Sequence, residues 1–155
     1  MAAGGIVSVY RPISELTHPV AQKAMAFWNK RPADGLVLGR DIPSRAIADL
    51  LKRIIVHEPI DGGRDLKVRL AGGAIRQRFG REITGATLSQ LFPTPDLPIR
   101  LQSVMTAINE GIPQFADCAL SGGSMQMLHT ELVILPVFAP NQTSKWAMTV
   151  CCFFE

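Results

Sequence analysis

Long apolar runs are what this sequence most clearly lacks. The longest covers residues 132–139 and has Pro136 inside it, far short of the roughly 20 residues a membrane helix needs. The start of the chain has no basic stretch followed by a long apolar one, so it does not read as a secretion signal. Cysteine is scarce: Cys118 and the adjacent Cys151 and Cys152, with no C-x-x-C spacing. That pattern suits buried reduced thiols rather than a disulfide or zinc framework. Charge of either sign is thin, at 16 Lys+Arg against 13 Asp+Glu and a formal net charge of +3. A nucleic-acid binder would be expected to concentrate its positive charge, so nucleic acid is not an expected partner. Neither G-x-x-x-x-G-K-[ST] nor G-x-G-x-x-G occurs, and the glycine pairs at 62–63, 72–73 and 122–123 read as turns, not phosphate loops. What remains is a chain of 155 residues, 47% apolar and 19% charged. That composition fits one globular domain, expected in the cytoplasm, and excludes a disordered, collagen-like or coiled-coil chain.

Local signals order the elements. Residues 1–16 show no clear period and read as a loosely held arm, with a single domain over residues 17–155. Pro19 suits a first helical position, and Val20, Ala24, Phe27 and Trp28 recur at helical spacing before Pro32 stops the helix. Ser44 is placed to cap a short helix that buries Ile47, Leu50 and Leu51. Residues 53–58 are β-branched, 59–63 are turn chemistry, and 66–70 alternate, putting Leu66, Val68 and Leu70 on one face. These make a hairpin. Short helical pieces follow at 74–79 and 87–92, then a longer helix at 96–110 with a stripe of Leu97, Leu101, Val104 and Ile108, closed by Gly111. Residues 114–120, 125–137 and 145–154 complete the chain as three hairpin-linked strands. The expectation is an α+β domain with a five-stranded antiparallel sheet, helices on one face and an N-terminal capping helix.

This order resembles the PAS domain family, and within it a group of small bacterial stand-alone PAS-like proteins. The likeness is carried by Phe27-Trp28, Asp41-Ile42-Pro43, Arg69-Leu70-Ala71-Gly72, the run from Phe79 through Gly80, Arg81, Glu82, Ile83 and Thr84 to Gly85, and Glu131-Leu132-Val133-Ile134-Leu135-Pro136. It implies a sensory or protein-interaction module whose sheet and helices can enclose a small molecule. The resemblance names no cofactor. A light-sensing flavin domain would need a reactive cysteine in the helical middle, and none lies between residues 53 and 111. A haem domain would take a histidine from the long helix, and residues 96–110 contain none. The chain ends directly after its last strand, so an output exerted in trans on an unidentified partner protein is expected.

Candidate site residues follow from that likeness and from residue chemistry. Phe79, Phe92, Leu101, Met105, Ile108, Phe115 and Leu132 are expected to line a pocket, although core packing accounts for them equally well. Six basic residues fall between positions 64 and 81. Of these, Arg69, Arg76 and Arg81 lie where PAS pockets open and are the candidates for holding an anion, while a solvated face is the simpler reading of the group. His18, His57 and His129 have no metal-ligand spacing, so no metal site is expected. Glu131 is an acid inside an apolar strand, with the exposed face its simpler home. An alternative function, a small α+β enzyme on an apolar substrate, would use Glu131 or His129 as acid or base. Trp146, Met148, Val150, Cys152 and Phe154 alternate with Ala147, Cys151 and Phe153, so both faces of the last strand must be covered. The cover for the second face is the helix carrying Phe27 and Trp28, or a second subunit. A homodimer through Phe27, Trp28 and Trp146 is the corresponding expectation.

Overall fold

Two strands separated by a tight turn set the frame. In the computed structural model, which describes residues 7–122 and 125–154, β2 (Ile54–Ile60) and β3 (Asp65–Ala71) pair antiparallel around a turn at Asp61–Gly63. Strand β2 runs through Pro59 and Ile60, so the turn starts two residues later than its composition suggests. The register steps from His57 opposite Val68 to Val56 opposite Leu70, leaving a bulge at Arg69. A bulge inverts side-chain parity beyond it. Leu66 and Val68 are therefore fully buried while Leu70 is 47% exposed, which corrects the reading of all three on one face.

The other strands are β1 (Val7–Ile13), β4 (Gln114–Gly122), β5 (Met125–Phe138) and β6 (Lys145–Phe154). Strands β4, β5 and β6 form a meander, and β6 pairs with β2, giving the order β1-β4-β5-β6-β2-β3. The described sheet thus has six strands, not five. The additional one is β1, in the stretch read as a loose arm, which pairs antiparallel along β4 with Tyr10 opposite Cys118. Its sequence is VSVYRPI, and Pro12 is tolerated because β1 is an edge strand. Residues 1–6 of the expected arm lie outside the described residues.

Helices cover both faces. Helices α2 (Gly73–Phe79), α3 (Leu88–Leu91) and α4 (Leu97–Glu110) lie on one side. Thr87 and Gln90 form a reciprocal capping box on α3, and Gly111 closes α4 in the left-handed conformation. Their buried residues, among them Ile75, Phe79, Leu91, Val104 and Ala107, pack on Leu66, Val68, Ala116, Leu132, Cys151 and Phe153. Helix α1 (Pro19–Asn29) lies on the opposite side and buries Ala21, Ala24 and Trp28 against Val133, Leu135, Met148, Val150 and Cys152. Ser44 caps a 3-10 turn, Arg45–Ile47, that seals this second core with Ile47 and Leu50.

The alternation in β6 is thereby explained within one chain. Ala147, Cys151 and Phe153 face α2–α4, and Met148, Val150 and Cys152 face α1. Trp28 is buried in that contact, with its indole N–H donating to the Pro136 carbonyl at 3.4 Å, and Phe27 and Trp146 pack half-buried on the same cluster. A second subunit is not needed to account for the apolar surplus.

Candidate functional site

A cavity of about 60 Å³ lies between the sheet and helices α2–α4. Its apolar wall includes Ile75 and Phe79 of α2, Phe92 after α3, Val104 of α4, and Leu132 and Phe153 of the sheet. Its polar wall comes from five elements: Tyr10 on β1, His57 on β2, Arg100 on α4, Thr130 on β5 and Thr149 on β6. Cys118, Cys151 and Arg78 also border it.

The polar groups are incompletely satisfied. Among the described residues, the buried side-chain atoms without a hydrogen-bond partner are Tyr10 Oη, His57 Nδ1, Arg100 Nε and Thr149 Oγ1. All four residues line this cavity. Ser103 is the polar neighbour of the tyrosine hydroxyl, but no well-formed hydrogen bond joins them. A buried polar group left unpaired costs about 1–3 kcal/mol, and native proteins leave few of them, so each calls for an explanation such as a ligand or ordered water.

Arg100 is the centre of the arrangement. It is 5% exposed, and its guanidinium lies against the rings of Phe92 and Tyr10, 4.0 and 4.6 Å from their centroids. Its Nη2 donates to Ser8 Oγ at 2.7 Å and Cys118 Sγ at 3.2 Å. The nearest carboxylate is Asp96, one turn earlier, with its Oδ2 at 3.8 Å. That carboxylate is already engaged, accepting from the hydroxyls of Ser8 and Thr94. The cation is therefore held by neutral partners and aromatic faces more than by an opposite charge.

Burial also sets the protonation of the wall. It pushes the Tyr10 hydroxyl up to about 12, raises the thiols of Cys118 and Cys151, and lowers His57 to about 4, with the Arg100 charge adding to the effect. Near neutral pH the hydroxyl and thiols keep their protons and the imidazole is uncharged. A histidine that titrates near 6.5 unfolded and near 4 folded makes the unfolded chain the stronger proton binder. Its contribution is intact above pH 6.5 and is lost as pH falls from 6.5 through 4, about 3 kcal/mol in all. In urea denaturation at pH 7 and 4.5, His57→Gln should flatten the decline by about 2 kcal/mol. An unchanged slope would show that His57 is not the group responsible.

The expected site residues divide. Phe79, Phe92 and Leu132 line the cavity. Leu101 and Met105 pack as half-buried residues at the edge of the same core, Ile108 borders separate grooves, and Phe115 packs with the core on the α1 side. The predicted anion contacts do not come together at the cavity. Arg69 faces Glu58 at 3.7 Å and lies over Trp146, Arg76 faces Glu82 at 3.6 Å, and Arg81 is exposed. The arginines that do border it are Arg78 and Arg100.

Neither candidate acid-base residue reaches the cavity. Glu131 is 3% exposed, contrary to its expected place on an open face. It accepts from the Thr17 N–H and hydroxyl and, at 2.8 Å, from the His18 N–H, fastening the start of α1 to β5. His18 continues the fastening: its Nδ1 accepts from the Val20 N–H, so Nε2 carries the proton that it donates to the Phe153 carbonyl. His129 is about half exposed on the outer surface, 2.7 Å from Asp117. Among the described residues no cluster of His, Cys, Asp or Glu is placed to hold a metal ion.

Sequence reasoning missed Tyr10, His57, Arg100 and Thr149 as a group. The apolar spacing puts the helical stripe on Leu97, Leu101, Val104 and Ile108, whereas the buried face of α4 is Arg100, Ser103, Val104, Ala107 and Ile108. An aspartate four residues before an arginine in the first turn was the available signal, but such pairs are common on exposed helices.

The sheet's hairpin thus lies beside the last strand of its meander, and the three helices between them in the chain close the cavity. The profile of the PAS domain family matches residues 16–150. The chain belongs to the PAS domain family. No curated protein and no solved structure matches it. PAS domains are in general sensory and signalling modules, and the strands β2–β6 and helices α1–α4 all fall within or across the matched span. Strand β1 precedes it, so this PAS domain draws Ser8 and Tyr10 from outside the matched residues. No helix among the described residues is long and apolar enough to cross a membrane.

Proposed function

We propose that this PAS domain is a non-enzymatic sensory module that binds a small polar molecule in the cavity between the sheet and α2–α4 and reports its presence to a partner protein. One observation carries the reading: the four unpartnered buried side-chain atoms, contributed by four different elements, all belong to residues lining one cavity. Random packing defects would be scattered, whereas a binding site collects its polar groups at one place in an otherwise apolar wall. The non-enzymatic part is supported by the thiols of the wall, which burial keeps protonated, and by the absence of Glu131 and His129 from the residues lining the cavity.

The test is a nuclear magnetic resonance titration of the full chain with a panel of anionic, neutral and cationic molecules of a few heavy atoms. Signals of Ile134, Val104, Leu132 and their cavity neighbours should move with at least one of them. In the ligand-free protein, Thr149→Val should raise stability by about 1 kcal/mol, because a methyl replaces an oxygen that has no partner. A panel that perturbs only surface signals, with Thr149→Val destabilising, would reject the reading.

A further inference from the structure

We infer that the molecule held here is a short monocarboxylate carrying an uncharged hydrogen-bonding group at its far end. The inference rests on the cavity being a ligand site, as proposed above, and names the class of ligand.

Charge comes first. Among the described residues no aspartate or glutamate lines the cavity, while Arg78 and Arg100 do. Arg100 is buried, its nearest carboxylate stands at 3.8 Å and is shared with two hydroxyls, and its Nε has no partner. A buried guanidinium with a free N–H recognises an oxyanion better than any neutral group, since charge-assisted hydrogen bonds are roughly twice as strong as neutral ones. Tyr10, stacked on the same guanidinium, offers a second unmatched donor, its hydroxyl. A cationic ligand would meet two arginines in the wall and no carboxylate among its described lining residues.

Placement then divides the polar wall into two poles. Tyr10 stands opposite Cys118 on β4, and Arg100 donates to Cys118, so this pair sits at the β1–β4 end. Thr149 stands opposite Ile55, and His57 is two residues further along β2, so these two are diagonal neighbours at the β6–β2 end. Leu132 lies in β5 between them, and Cys151 is two residues along β6 from Thr149. Strands β4 and β6 are separated by β5, and Cys118 aligns through Thr130 with Phe153, four residues along β6 from Thr149, so the poles occupy opposite corners of the cavity floor. The second pole holds a hydroxyl and an uncharged imidazole, which suit a hydroxyl or carbonyl rather than a second charge.

Size sets the length. One water needs about 10–15 Å³ of such space, so a cavity of about 60 Å³ takes on the order of four to six heavy atoms. A carboxylate at one pole, one or two methylenes along the apolar floor and a hydroxyl at the other fill it.

Three probes of equal size separate the claims: 3-hydroxypropionate, which has both groups; butyrate, which lacks the hydroxyl; and 3-hydroxypropionamide, which lacks the charge. Titrated into the full chain and followed by calorimetry and cavity-residue signals, 3-hydroxypropionate should bind tightest. The amide should bind about 10–100-fold more weakly, the cost of losing a charge-assisted contact. Butyrate should bind several-fold more weakly. Arg100→Gln should remove the preference for acid over amide. Because that variant also alters the packing of α4, two milder ones serve alongside it. Tyr10→Phe should weaken 3-hydroxypropionate and butyrate alike, and Thr149→Val should weaken 3-hydroxypropionate while leaving butyrate unchanged. Equal binding of acid and amide in the cavity would overturn the carboxylate assignment and leave the ligand site standing. Cavity binding confined to other members of the wider panel would do the same. Failure of every molecule to move cavity signals would overturn both.

Discussion

Gly72→Ala is expected to be among the most damaging single-methyl changes in this protein. A Cβ on Gly72 would lie 2.4 Å from the backbone carbon and oxygen of Lys52 and 2.5 Å from the Leu51 carbonyl oxygen. The conformation of Gly72 is open to any residue, at φ −69° and ψ 163°, so the requirement is space and not flexibility. The obstructing atoms are backbone, in the 3-10 turn Leu51–Arg53 that leads directly into β2. They cannot swing aside as a side-chain tip would. Gly72 also donates its N–H to the Ile54 carbonyl at 2.9 Å, so relieving the clash would open the junction between β2, β3 and α2. A loss of about 3 kcal/mol or more is expected in urea denaturation. The neighbouring Gly73→Ala is the control. Its Cβ would meet only the Arg76 side chain, at 3.7 Å, in the first turn of α2, where alanine should be neutral or stabilising by up to about 1 kcal/mol. If Gly72→Ala stays within 1 kcal/mol of the parent, the close approach has been misread.

The second large effect concerns Glu131. Glu131→Leu should cost about 3 kcal/mol, because it strands the N–H groups of Thr17 and His18, which now donate to the carboxylate in a partly buried site. Those donors hold the first turn of α1, and α1 carries Ala21, Ala24 and Trp28 onto the sheet. The fluorescence of Trp28 should therefore shift toward that of solvent-exposed indole before the rest of the protein unfolds. Glu131→Gln, which keeps one acceptor oxygen, should lose about half as much. His129→Ala, on the exposed surface beside Asp117, should fall within about 0.5 kcal/mol of the parent, as surface changes usually do. A cooperative unfolding of Glu131→Leu in which Trp28 and the sheet report the same midpoint and the same stability as the parent would contradict the anchoring role. Together the two variants separate a structural carboxylate from the acid-base role that its sequence position also permits.

Several features of the fold could be read along the chain because short-range physics sets them. Pro19 starts a helix, Ser44 caps a 3-10 turn, and Gly111 ends the long helix through backbone geometry that each residue imposes on its own neighbours. The double alternation of β6 correctly required two covered faces, since parity on a strand is a local rule. Phe79, Phe92 and Leu132 border the cavity while Leu101, Met105, Ile108 and Phe115 do not, because apolar character selects the interior and not a particular wall of it. The inversion at Leu70 lay beyond that logic, because a bulge is a property of two paired strands and leaves no mark in either one alone.

The sequence by itself determined the order of elements from α1 onward, the PAS likeness and the hydrophobic content of both cores, all of which depend on spacing over a few residues. The tertiary structure decided that residues 7–13 form a strand, because only the open edge of β4 gives their backbone groups partners. It also decided that Arg100 is inside and Arg69, Arg76 and Arg81 are not. A charged side chain has no intrinsic preference for the interior; its burial depends on what meets it there. For Arg100 those groups are Ser8, Tyr10, Phe92 and Cys118, and three of them, Ser8, Tyr10 and Cys118, stand on strands brought to it only when the sheet closes. Glu131 is buried for the same reason, by donors from Thr17 and His18 that arrive with α1.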